Sequence, residues 1–87
     1  MTVIFIPSLM QDLTDGIDKI ELKVKTIREM IQILELKFPG FSQRIFEGNS
    51  IRDDISIIVD GIQNSEGMGK IILNAVEIHF IPLISGG

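Results

Sequence analysis

A change of period at Thr26 constrains this chain more than any other feature. Upstream, Ile20, Leu22 and Val24 alternate with Lys19, Glu21, Lys23 and Lys25, the two-residue period of a strand with one wet face. Downstream, Ile27, Met30, Ile31, Leu34 and Phe38 share one stripe at helical spacing, while Arg28, Glu29, Gln32 and Glu35 fall elsewhere. The junction carries its own punctuation. Thr26-Ile-Arg-Glu29 fits a capping box, in which the Thr26 hydroxyl accepts from the third helical N–H and Glu29 reaches back. Pro39-Gly40 ends the helix. Ile33 and Leu36 lie off the stripe and are expected to pack under Phe41, Ile45 or Phe46; contact with a partner is the other reading.

The remaining segments read as strands around that helix. Thr2–Ile6 is an apolar run stopped by Pro7, which has no N–H for a ladder. A turn-rich stretch ending in Asp15-Gly16 then joins it to the alternating strand as an N-terminal hairpin. After an irregular stretch over 42–54 come a strand over 55–60, a loop over 64–69, and a short edge strand over 70–73. A last strand over 76–81 places Val76, Ile78 and Phe80 on one face and ends at Pro82. The chain has 87 residues, room for one small domain. Its 18 isoleucines favour strands, because a β-branched side chain is already restricted at χ1. One helix covers only one face of a sheet. The pattern therefore predicts a two-layer α+β domain of the β-grasp kind, with a four- to five-stranded mixed sheet and one main helix. The domain is expected over 1–82, with a flexible Gly-Gly tail over 83–87.

Composition removes several functions. A net charge of −4 argues against a nucleic-acid-binding module, which needs a basic surface to neutralise phosphates. With Cys 0 there is no disulfide, no thiolate nucleophile and no Cys-ligated zinc. One His and no Tyr or Trp leave little for acid–base catalysis. No apolar run approaches the roughly 18 residues of a membrane span, and no basic stretch leads into a signal-like segment. A soluble cytoplasmic domain without membrane contact is expected.

Two places invite function. The first is the tail, Pro82, Leu83, Ile84, Ser85, Gly86 and Gly87: the last strand ends at Pro82, and the five residues beyond it reach roughly 16 Å when extended. Residues without Cβ can enter a channel too narrow for side chains. The Gly87 α-carboxylate can then attack the α-phosphate of ATP to give an acyl-adenylate. The alternative is a frayed terminus without function. The second place is the outer sheet face. With Val3 and Phe5 toward the helix, Ile4 and Ile6 point away, and with Ile58, His79 and Ile81 they are expected to form an exposed patch for a partner. His79 is expected to pair with Glu77 rather than hold a metal, for which no ligand cluster exists. Gly67-Met-Gly-Lys70 lacks the full phosphate-loop spacing and reads as a turn. Asp12, Asp15, Asp53 and Asp54 read as solvated surface.

These residues together resemble the ubiquitin-like sulfur carriers of the MoaD/ThiS type, which include the small subunit of molybdopterin synthase. The resemblance covers nearly the whole chain. It rests on Phe5-Ile-Pro-Ser-Leu9, Leu13-Thr-Asp-Gly16, the helix ending in Phe38-Pro-Gly40, Ile57-Ile-Val-Asp-Gly61, and above all the ending Val76-Glu-Ile-His-Phe-Ile-Pro-Leu-Ile-Ser-Gly-Gly87. The opening and the Glu66-Gly-Met-Gly69 loop look closest to carriers serving cysteine or archaeal-type sulfur transfer. Where the family has an acidic Asp-Gly-Asp-Glu turn before the last strand, this chain has Asn74-Ala-Val-Glu77.

The resemblance implies a carrier, not an enzyme, with no bound cofactor. A ubiquitin-activating-type adenylyltransferase would use its own Mg-ATP to adenylate Gly87. A sulfurtransferase would replace AMP with sulfur, and the Gly87 thiocarboxylate would serve an acceptor such as a molybdopterin synthase large subunit. Molybdopterin, thiamine thiazole, cysteine and tRNA are all open as destinations. Two alternatives stand beside it: a protein modifier linked through Gly87 to lysines, and a non-covalent β-grasp subunit.

Overall fold

Pairing between the first two strands decides which way the N-terminal segment faces. The computed structural model describes residues 1–83. In it β1 (Thr2–Phe5) lies antiparallel to β2 (Lys19–Leu22), with Ile4 opposite Ile20 and Thr2 opposite Leu22. Directly opposed residues share a face, so the clear alternation of β2 imposes its parity on β1. Ile4 and Ile6 point into the core at 0% and 3% exposure, and Val3 and Phe5 point out. This reverses the expected facing of Ile4 and Ile6. The run Val3–Ile6 is apolar at every position, so it carries no parity of its own. The hairpin connection winds through a short 3₁₀ turn at Ser8–Met10 and closes with Asp15 and Gly16 at φ 54° and 82°.

Helix α1 (Ile27–Lys37) starts at the expected cap. Thr26 Oγ1 accepts from the Glu29 N–H at 3.2 Å, and Glu29 Oε1 accepts from the Lys25 N–H at 3.0 Å, one residue before the cap. Ile27, Met30, Ile31 and Leu34 are buried as the spacing predicts. Of the two off-stripe residues, Ile33 packs partly against the core, whereas Leu36 is 83% exposed. Gly40 at φ 97° turns the chain into α2 (Phe41–Ile45), a conformation that costs a side chain its usual sterics.

The stretch expected to be irregular holds α2 and a small hairpin, β3 (Phe46–Glu47) with β4 (Ser50–Ile51). These elements are too short to show a period. They bring Phe41 edge-on to Phe80, with centroids 5.7 Å apart and planes at 70°, a geometry worth about 0.5–1.5 kcal/mol beyond burial.

The main sheet adds β5 (Ile55–Val59), β6 (Ile62–Gln63) and β7 (Glu77–Pro82) in the order β2-β1-β7-β5-β6. β7 runs parallel to β1 and antiparallel to β5, so the last strand is central. The expected edge strand over 70–73 is instead a bridge to the entry of α1. The Ile72 N–H donates to the Lys25 carbonyl, and the Ile27 N–H to the Lys70 carbonyl. Val76, expected in the strand on one face with Ile78 and Phe80, lies before it at 64% exposure. Among the described residues no helix is long and apolar enough to cross a membrane.

Candidate functional site

The outer face of the sheet is built by register. Phe5 is opposite His79 on one side of β7, and Ile58 is opposite His79 on the other. Val3 is opposite Glu77, and Ile81 is opposite Ser56. The Phe5 and His79 rings stack in parallel, with centroids 4.3 Å apart and planes within 3°. His79 Nε2 lies 3.6 Å from Glu77 Oε2, the partner expected for it. The result is an apolar cluster of Val3, Phe5, Ile58 and Ile81 around the His79 ring. Lys19, Glu21, Glu77 and Gln63 frame it in the neighbouring positions. The expected residues Ile58, His79 and Ile81 do meet on this face. Ile4 and Ile6 do not; Val3 and Phe5 stand in their place.

The root of the tail lies at the far end of β7 from Glu77. Pro82 is opposite Ile55, and the Leu83 N–H donates to the Asp54 carbonyl at 2.7 Å. Leu83 itself is 49% exposed. Ile84, Ser85, Gly86 and Gly87 lie outside the described residues. Beside the root a groove of about 320 Å³ is walled by Leu9, Met10, Arg44, Arg52, Ile55 and Pro82. Its two guanidinium groups are both engaged. Arg44 Nη2 meets Asp12 Oδ2 at 3.1 Å, and Arg52 grips both oxygens of Asp54 from Nε and Nη2 at 3.0 and 3.1 Å. The hydrogen bonds from Arg52 hold the Asp54 carboxyl below its usual range, and Asp54 in turn raises the Arg52 guanidinium. A larger groove, about 390 Å³, lies within the excursion from Val59 to Ala75 at the opposite end of the sheet. Ile62, Ile71 and Leu73 line it, and it holds the exposed Lys70–Glu66 ion pair.

Asp60 escaped the sequence reading. Its Oδ1 accepts the N–H groups of Val76 and Glu77 at 2.9 and 2.8 Å, so a carboxylate from the β5–β6 turn holds the entry to β7. Asp60-Gly61, at φ 50° and 84°, was the available signal. Among the described residues no three His, Asp or Glu side chains group as a metal would require.

No protein-family model matches the chain, and no curated protein does. Solved structures do match in fold. CysO from the Amycolatopsis orientalis BexX/CysO complex aligns over 100% of both chains with a TM-score of 0.91 at 21% identity. Mycobacterium tuberculosis CysO aligns over 97% of this chain and 100% of its own with a TM-score of 0.86 at 20% identity. The Haloferax volcanii HVO 2177 protein aligns over 99% and 87% with a TM-score of 0.68 at 16% identity. The fold is a ubiquitin-like β-grasp. Helix α1 clasps one side of a five-stranded mixed sheet and leaves the other side open.

Proposed function

We propose that this protein is a sulfur carrier that works through Gly87. The observation carrying the proposal is the position of β7. The central strand presents His79 and Ile81 on the apolar outer face and ends, two residues later, at the root of Leu83-Ile-Ser-Gly-Gly87. A partner seated on that face has the tail sequence directly at its edge. The likeness in fold to CysO, solved in complex with BexX, supports a β-grasp body that docks on a second protein.

The chemistry resides on partners. An adenylyltransferase with bound Mg-ATP takes the Gly87 carboxylate. A carboxylate oxygen attacks the α-phosphorus, the bond to the β-phosphate oxygen breaks, and pyrophosphate leaves. A sulfurtransferase then supplies a hydrosulfide equivalent to the carbonyl carbon. The C–S bond forms as the C–O bond to AMP breaks, leaving a thiocarboxylate. Where the sulfur arrives as a protein persulfide, a thiol reduces the resulting acyl disulfide. The thiocarboxylate passes its sulfur to an acceptor enzyme. Holding sulfur on a carbonyl needs no cysteine on the carrier, in keeping with Cys 0.

The test first isolates an ATP-dependent adenylating enzyme by its co-purification with the chain. With Mg-ATP and a sulfur donor, the peptide ending in Gly87 gains the mass of one sulfur-for-oxygen exchange. An unchanged peptide alongside active enzyme refutes the carrier reading. A Gly-Gly remnant on lysines in place of the thiocarboxylate reassigns the chain as a modifier.

A further inference from the structure

We infer that the turn Arg52–Asp54 clamps the root of the tail to the body at Leu83. The inference rests on the carrier reading for its purpose, but its geometry stands apart from it. Pro82 occupies the final pair of the β5–β7 ladder, opposite Ile55, and has no N–H to donate. The next donor along the chain is the Leu83 N–H, and it closes on the Asp54 carbonyl at 2.7 Å.

That carbonyl is not left to a mobile loop. The Asp54 carboxylate is forked by Arg52 Nε and Nη2, a two-bond geometry that fixes orientation as well as distance. The backbone of Arg52 is tied in turn: its N–H donates to the Ile45 carbonyl at 2.7 Å, and its carbonyl accepts from the Ile55 N–H at 3.3 Å. The chain of contacts runs from α2 through Arg52 and Asp54 to Leu83. Arg44, also on α2, holds the 3₁₀ turn from the other wall, through Asp12 and the Leu9 carbonyl. Arg52 is therefore a positioning residue, acting on the tail through the Asp54 carbonyl.

A partner's channel can take up Ile84–Gly87 without breaking any of these bonds. Four residues span about 13–14 Å when extended, which sets the depth at which the partner must place its nucleotide. Leu83 stays on the body at the channel mouth. Because the root is ordered before docking, threading loses less conformational entropy. The clamp thus acts on binding and leaves the chemical step alone.

Two variants break the same bond by different means. L83P removes the amide donor and also fixes φ at residue 83, with L83A as the control for the side chain; R52A releases Asp54 and leaves the backbone of residue 83 unconstrained. Pyrophosphate exchange with the adenylating enzyme above should show KM raised about three- to tenfold for L83P relative to L83A, and for R52A relative to wild type, with kcat unchanged. Hydrogen exchange by NMR should find the Leu83 amide protected in wild type and about three- to tenfold less protected in R52A. An unprotected Leu83 amide in wild type overturns the clamp, as does equal KM for L83P and L83A. If wild type is never adenylated, the carrier reading fails, and amide exchange alone decides the clamp.

Discussion

Glu35 shows how much one side chain can organise. It sits on α1 in a position that reads as an exposed helix residue, yet its carboxylate accepts from the Gly40 N–H, the Ser42 N–H and the Ser42 hydroxyl at 2.9, 2.9 and 2.7 Å. It caps the first turn of α2 from the preceding helix. Those bonds, the Gly40 one foremost, lower its pKa from the usual value near 4.5. A depressed carboxyl stabilises the fold above its unfolded pKa and loses that contribution as pH falls through the lower folded value. E35Q should therefore lower the melting temperature at neutral pH, and the gap to wild type should close as both are melted at pH values progressively below 4.5. A gap that stays constant into acid would show that charge is not what Glu35 supplies. Nothing in the local sequence marks this role, because Gly40 and Ser42 become neighbours only after the chain turns.

At the level of elements, the helix entry is the best-defined local event. The Thr26 hydroxyl satisfies an N–H that the helix cannot. T26A should cost about 1 kcal/mol in urea unfolding, with T26S recovering most of it. The boundaries of α1, β2, β5 and β7 are legible in the sequence because each spans enough residues to display a period or a stop signal. The hairpin β3–β4, α2 and the true role of 70–73 are not. Strands of two residues and a helix of five hold too few positions for a pattern, and the 70–73 segment owes its place to the backbone of Lys25 and Ile27.

At the scale of the whole molecule, the sheet separates a buried face from an exposed apolar face along a single strand. Ile4 is fully buried under α1, and its neighbour Phe5 stacks on His79 outside. I4A should cost about 2–5 kcal/mol of unfolding free energy, the usual range for a truncated core aliphatic. F5A should cost well below that and, under the proposed carrier function, weaken binding of an adenylating enzyme, measured by titration on fully folded protein. Equal losses of stability for the two would refute the division of faces. What the residues alone decided was local: the hairpin, the capped helix and the strand stops, since periods, caps and prolines act within a turn or two of where they stand. What only tertiary structure decided was relational. The parity of β1 came from Ile20 and Leu22, the entry to β7 from Asp60, and the hold on Leu83 from Asp54. Each depends on groups that are distant in the chain and acquire meaning only when packing sets them at hydrogen-bonding range.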